Sequence, residues 1–172
     1  MFRTIVAPLK CPYFVLVALF MTSVAALMTA FYAEYIGGLK PCILCIYERY
    51  PYGLVAGISL IGLFHKRYLS IYILFCALSY LVNVGISVYH VGVEHHIFSL
   101  SAACGGFPSG NAETLEELRA QIMATPVVRC DIVPWRLFGF SMAEYNLVGC
   151  FAFSSFSFIY SWLLYKGKIK NV

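Results

Sequence analysis

An all-α integral membrane fold, a bundle of transmembrane helices, is the class this sequence predicts, on three observations. Hydrophobic residues make up 61% of the 172 and charged residues only 12%, whereas a soluble domain carries about 25% charge. Mean hydropathy is +0.80. The few charges are also clustered, leaving uncharged runs that approach the roughly 20 residues a helix needs to cross hydrocarbon with its backbone bonded internally. A net charge of +4 with 14 Phe and 13 Tyr points to lipid and excludes a soluble basic nucleic-acid binder.

Taken in order, residues 11–33 are uncharged, and residues 68–93 contain only His90 as a group titrating near neutral pH. Residues 145–165 form a third clean run, while 43–64 is long enough but carries Glu48 and Arg49 near its start. The expected organisation is a single four-span membrane domain. Its spans fall at about 12–33, 43–64, 68–90 and 145–165, with outer loops at about 34–42 and 91–144. A signal peptide would also follow Arg3 and Lys10 with an apolar stretch, but its core is only about 7–15 residues long. The first helix is therefore expected to stay.

Charge asymmetry sets the expected orientation. Arg3, Lys10, Lys66, Arg67, Lys166, Lys168 and Lys170 share one side, with no acidic residue among those segments. By the positive-inside rule that side, and both termini with it, is cytoplasmic. The long outer loop opens with turn-forming residues Cys104, Gly105, Gly106, Pro108 and Gly110, then a helical stretch near 113–124. There Leu115, Leu118 and Ile122 fall at i, i+3 and i+7, Thr114 and Glu117 have the spacing of a capping box, and Pro126 ends the pattern. This short amphipathic helix either lies along the membrane surface or packs on other loop residues.

Seven cysteines are too few for a disulfide scaffold, and their number is odd. Cys42-Ile43-Leu44-Cys45 follows Pro41 at the outer mouth of the second span. A helix starting at Pro41 would offer free N–H groups and the positive end of its dipole, both favouring a thiolate, the reactive form. Cys42, Cys45 and Arg49 then share one face. Arg49 either pairs with Glu48 or a neighbouring helix end, or stabilises negative charge on a thiolate or a bound electron acceptor. Glu48, about 100° away, is expected to hold Arg49 or Tyr47 from the protein side.

Cys104 and Cys130 lie on the same outer loop and can form a disulfide. Such a pair is ordinarily structural in an oxidising compartment. Two cysteine pairs on one face of the membrane also suit exchange through a mixed disulfide. Cys11, Cys76 and Cys150 read as buried small hydrophobes. Ile46 rules out a C-x-x-C-H haem attachment, although His90, His95 and His96 could still ligate a haem or metal, and no G-x-G-x-x-G or P-loop is present. Cys42, Cys45, Cys104 and Cys130 have the ligand number of tetrahedral zinc, but their long separation and outer location argue against it, and no metal is expected.

The run from Lys40 to Arg49, the loop cysteines Cys104 and Cys130, and Cys130-Asp131 followed by Trp135, Phe138-Gly139 and Asn146 together resemble the bacterial disulfide bond formation protein B (DsbB) family. The resemblance covers nearly the whole chain. It implies a four-helix inner-membrane bundle that reoxidises DsbA, a thioredoxin-fold dithiol carrier of the periplasm. Electrons would pass to ubiquinone, or menaquinone in its place, and so through the quinone pool to the respiratory chain. Carried over, Cys104 would accept attack by the carrier while Cys130 leaves. Cys130 would attack Cys42, freeing Cys45 to meet the quinone, whose oxygen Arg49 would polarise. His90 would lie near the quinone, or be a satisfied interfacial histidine. Two departures stand out: Tyr145 replaces a frequent Trp, and Cys104 is followed by Gly105-Gly106-Phe107 rather than by a second nearby cysteine.

Two other readings compete. A membrane scaffold or transporter subunit would hold ordinary, reduction-resistant disulfides. A relative of vitamin K epoxide reductase would share the logic of a C-x-x-C beside a quinone-like ring, but usually places that motif late in its bundle.

Overall fold

The computed structural model describes residues 11–65, 68–101, 104, 114–117, 119 and 128–167. Four long helices dominate it: α1 (Pro12–Tyr35), α2 (Ile43–Phe64), α3 (Leu69–Glu94) and α4 (Met142–Tyr165). Among the described residues, α1, α3 and α4 are long and apolar enough to cross a membrane, which makes the chain a multi-pass membrane protein. Helix α2 is more polar at its head, where Tyr47, Glu48, Arg49 and Tyr50 precede Pro51. Pro51 is tolerated inside the helix although it lacks the N–H that would bond to the Tyr47 carbonyl.

Helix α1 packs on α2, α2 on α3 and α3 on α4. Lipid tails are as apolar as leucine, so burial alone does not hold such helices together; close approach and interhelical hydrogen bonds do. Helix α4 shows the device: Cys150, Ser154, Ser157 and Ser161 are all buried, a stripe of small residues at helical spacing. Ser154 Oγ donates to the Ala77 carbonyl (3.0 Å) and Ser161 Oγ to the Ser70 carbonyl (2.8 Å), both on α3. Ser23 on α1 and Tyr80 on α3 share a buried hydrogen bond of 2.8 Å. Such interhelical bonds contribute on average roughly 0.6 kcal/mol each. Gly62 brings α2 against its neighbours, since a Cβ there would lie 3.1 Å from both Leu16 Cδ1 and Tyr72 Cβ.

The buried side chains fall into two groups. The larger, with Leu16, Leu19, Val55, Ile73 and Tyr80, fills the middle and one end of the bundle. The smaller, at the other end, consists of Cys42, Leu44, Val93, Cys104 and Cys130.

One element departs from the all-helical expectation. Strands β1 (Arg136–Leu137) and β2 (Phe140–Ser141) pair antiparallel through a two-residue turn. Phe138 and Gly139 both have positive φ, 49° and 87°, as a type I′ hairpin turn demands. The hairpin delivers Ser141 as the N-cap of α4. Its Oγ accepts from Glu144 N (3.1 Å) while Glu144 Oε2 accepts from Ser141 N (2.6 Å), a reciprocal capping box. The helix consequently begins at Met142, ahead of the uncharged run. Ser141 Oγ also donates to Glu94 (2.5 Å), and His95 pairs with Glu144 (3.0 Å), tying this corner to the end of α3.

Of the expected amphipathic loop helix, residues 115–117 and 119 are helical, and Thr114 Oγ1 accepts from Glu117 N at 3.2 Å. The rest of that stretch lies outside the described residues, as do Arg3, Lys10, Lys66, Arg67, Lys168 and Lys170, from which the orientation was read.

Candidate active site

Cys42 is the N-cap of α2, with extended backbone (φ −75°, ψ 170°). Its sulfur accepts a hydrogen bond from Cys45 N (3.4 Å) and lies 3.1 Å from Cys45 Sγ. A thiol thus performs the capping role usually given to serine or aspartate, and this fixes the two sulfurs side by side. All seven cysteines are free thiols in this structure.

Cys104 and Cys130 are buried against this helix mouth, packed with Cys42, Leu44 and Val93. Cys130 N donates to the Cys104 carbonyl (3.4 Å), and Cys104 N donates to Ser101 Oγ (3.3 Å). The four sequence-predicted cysteines therefore form one cluster. The hydrogen bond to Cys42, reinforced by burial, holds the Cys130 thiol well above the usual thiol range, and burial raises that of Cys104. A thiol of raised pKa is a strong nucleophile once deprotonated.

His90, from α3, is 3% exposed and stands over the cluster. Its Nδ1 is 3.0 Å from Glu48 Oε1 and its Nε2 is 3.5 Å from Cys42 Sγ and 3.8 Å from Glu94 Oε1. An ionised carboxylate only accepts, so Nδ1 carries the proton given to Glu48. Asn83 Nδ2 donates to the Glu48 carbonyl (3.1 Å) and holds this part of α2 against α3.

Beside the sulfurs opens a cavity of about 350 Å³ between α1, the head of α2 and the start of α4. It is lined largely by alanine, leucine and proline side chains, with polar groups that include Glu34, Lys40, Cys45, Glu48, Arg49, Tyr52 and Asn146. Arg49 Nη1 donates to Glu34 Oε2 at 2.5 Å, and the guanidinium sits 5.0 Å from the centre of the Phe31 ring. Arg49 Nε is buried and has no protein partner. Tyr52 Oη donates to Asn146 Oδ1 (2.5 Å), and Asn146 Nδ2 donates to Ser87 Oγ (2.9 Å), which aligns the phenol and amide on the cavity wall.

Several sequence expectations change at this point. Cys42 does not share the cavity face with Cys45 and Arg49, because an N-cap residue lacks helical dihedrals and its sulfur turns back over the first turn. Cys45 borders both the cavity and the smaller space beside Cys42, His90 and Cys130. Glu48 does not hold Arg49; it holds His90, since it faces α3, and the partner of Arg49 is Glu34 from α1. His90 lies among the thiols and does not line the larger cavity. Glu34 and Tyr52 were missed. Glu34 had a signal, as the acidic residue ending an otherwise uncharged run, where an ionisable group needs a partner. Tyr52 had one in its place three residues after Arg49.

Clustered thiols at a helix mouth, opening on an apolar cavity with a fixed cation, in a multi-pass helical bundle, define a membrane thiol–disulfide oxidoreductase. The family model of disulfide bond formation protein DsbB matches residues 12–160. The chain is 34% identical to an uncharacterized protein of Rickettsia prowazekii over 129 residues, covering 73% of this chain and 74% of the relative. It is 28% identical to disulfide bond formation protein B of Xanthomonas euvesicatoria over 153 residues, 86% of each chain. Identity to the protein of that name from a Psychrobacter species is 30% over 139 residues, 76% of this chain and 80% of the relative. The chain belongs to the DsbB family and has its disulfide-forming oxidoreductase role.

Proposed function

We propose that this protein reoxidises a DsbA-like thioredoxin-fold dithiol carrier on the periplasmic side of a bacterial inner membrane and delivers the electrons to a membrane quinone. In this reading all four long helices span the bilayer, both termini are cytoplasmic, and the cysteine cluster sits at the periplasmic end. The observation that carries the proposal is the position of Cys45, which borders both the sulfur cluster and the cavity. It is the one cysteine that can receive electrons from the loop pair side and give them up on the cavity side.

The residues support a relay. A carrier thiolate attacks Cys104 of a Cys104–Cys130 disulfide, and Cys130 departs as a thiolate next to Cys42. Packed on Cys42, that thiolate is placed to open a Cys42–Cys45 disulfide. Cys45 is then released as a thiolate on the cavity wall, within the field of Arg49. The second carrier thiol resolves the mixed disulfide and frees Cys104, whose thiolate attacks Cys130, re-forming Cys104–Cys130 and releasing Cys42; Cys42 and Cys45 then close again as their two electrons pass to the acceptor. His90, hydrogen-bonded to Cys42 and backed by Glu48, is placed to hold or release the proton that Cys42 exchanges.

The cavity fits a quinone headgroup: its volume is at the lower end of ligand pockets, roughly 300–1,000 Å³, its walls are mostly apolar, and the unpartnered Arg49 Nε is a donor in want of an acceptor. Arg49 Nε and the second Nδ2 hydrogen of Asn146, an amide held in place by Tyr52 and Ser87, would hold the ring oxygens. A quinone, when bound, supplies the sink for the two electrons and two protons released as Cys42 and Cys45 close. Whether ubiquinone or menaquinone serves is read by offering each to purified protein with reduced carrier, following carrier thiols and quinone absorbance together. Matched loss of both, abolished in Cys45→Ala, supports the proposal; reduction-resistant disulfides and silent quinones would support a scaffold instead.

A further inference from the structure

Beside the larger cavity is a second, enclosed space of about 40 Å³, bordered by Cys42, Cys45, His90, Glu94 and Cys130. About 10–15 Å³ of such space is enough to hold one water molecule, so this one admits a small species such as water or a single ion. Cys42 Sγ, Cys45 Sγ and a His90 ring nitrogen all lie within 4.8 Å of one another around it. Metal–sulfur bonds of about 2.3 Å and metal–nitrogen bonds of about 2.0 Å in tetrahedral geometry separate ligand atoms by about 3.5–3.8 Å. The Cys42–His90 separation is already 3.5 Å, and the Cys42–Cys45 separation of 3.1 Å needs only a small rotation of one thiol.

The imidazole is also prepared for such a role. Metal-bound histidines give their other ring N–H to a carboxylate, which fixes the tautomer and leaves the remaining nitrogen as the electron-pair donor. Glu48 does this for Nδ1 at 3.0 Å, so Nε2 is directed at the sulfurs. Cys130, packed on Cys42, and Glu94, whose Oε1 is 3.8 Å from His90 Nε2, border the same space without joining the three-ligand group. This set joins two of the four thiols weighed for zinc from the sequence to His90, one of the histidines weighed separately as a ligand, and does not need Cys104.

We infer that the reduced protein binds one thiophilic divalent cation of the zinc type at Cys42, Cys45 and His90, and that oxidation of Cys42 and Cys45 abolishes the site. Binding displaces the thiol protons and leaves the oxidation state of the metal and of both sulfurs unchanged. Closing the disulfide removes two of the three ligands, so metal and disulfide exclude each other. A bound cation therefore holds the protein in its dithiol state and blocks electron transfer to any acceptor.

Cobalt(II) is the probe, added anaerobically to the full-length protein in detergent after complete reduction and removal of reductant. The expected result is a thiolate-to-cobalt charge-transfer band with tetrahedral ligand-field bands, saturating at one cobalt per chain and displaced by zinc. Oxidised protein, which keeps Cys11, Cys76 and Cys150 as thiols, should show neither, nor should reduced Cys45→Ser. Glu48→Gln leaves every ligand in place and should weaken binding about 10- to 100-fold through loss of the carboxylate behind His90; His90→Gln should weaken it further. A missing band in folded, reduced wild type, a band that survives oxidation, or one indifferent to both Glu48→Gln and His90→Gln would overturn the inference. None of these readouts needs quinone or carrier, so the outcome is independent of the proposed electron relay.

Discussion

Glu34 makes the most distinctive prediction about the cavity. Its carboxylate lies 2.5 Å from Arg49 Nη1, and the two side chains are only 24% and 17% exposed. An acceptor oxygen that reaches Arg49 at Nη1 as well as at the free Nε competes with this charge. Glu34→Gln keeps a side-chain oxygen able to accept from Arg49 and removes the negative charge. A hydrogen bond between charged groups contributes about 1.5–3 kcal/mol and one with a neutral acceptor about 0.5–1.5 kcal/mol. The variant should therefore free about 1–1.5 kcal/mol of Arg49 interaction, close to tenfold in affinity. Calorimetric titration of short-chain ubiquinone into detergent-solubilised protein reads it directly: Kd should fall about 5- to 10-fold in Glu34→Gln. An unchanged or raised Kd in a folded variant would refute the competition and assign Glu34 to holding Arg49 in place.

The raised proton affinity of Cys130 gives a pH prediction. Alkylation needs the thiolate, so in the fully reduced protein with Cys42 left free, Cys130, followed site by site by mass spectrometry, should label more slowly at neutral pH than an ordinary thiol, its rate still climbing above pH 9; Cys42→Ala removes the principal cause and should shift the profile toward the ordinary value of about 8.5. Ser141→Ala removes the cap of α4 and the bond to Glu94, and should cost about 0.5–2 kcal/mol, read as a fall of a few degrees in the midpoint of thermal unfolding in detergent; no change would show that the hairpin corner does not limit stability. Gly62→Leu should destabilise by about 1–3 kcal/mol through overpacking against Leu16 and Tyr72, with loss of folded yield as the readout.

Three membrane-capable helices were legible because a span must be uncharged over a known length, a constraint that needs no tertiary information. Clustered thiols were legible for a similar reason: Pro41 before Cys42-Ile43-Leu44-Cys45 marks a helix start in the sequence itself. Which side chain faces which was less accessible. Adjacent positions on α2 diverge, and only the packing of α1 and α3 on it decides that Arg49 meets Glu34 and Glu48 meets His90. Cys42 was placed on the helical face because the i, i+3, i+7 rule assumes helical dihedrals, which an N-cap lacks. The hairpin at 136–141 was hidden in four paired residues. Its Phe138-Gly139 turn was visible as part of the family resemblance, but the positive φ of Phe138 is unusual for an aromatic residue and could not be read from its identity.

The central claim is that electrons leave the cysteine cluster through Cys45. The direct measurement mixes the purified protein anaerobically with a reduced thioredoxin-fold dithiol carrier and ubiquinone, and follows carrier thiols and quinol together in wild type and Cys45→Ala. One quinol formed per carrier disulfide in wild type, with none in Cys45→Ala, is the predicted result. Quinol formation that persists in Cys45→Ala, or carrier oxidation by folded wild type with no quinol, would contradict it.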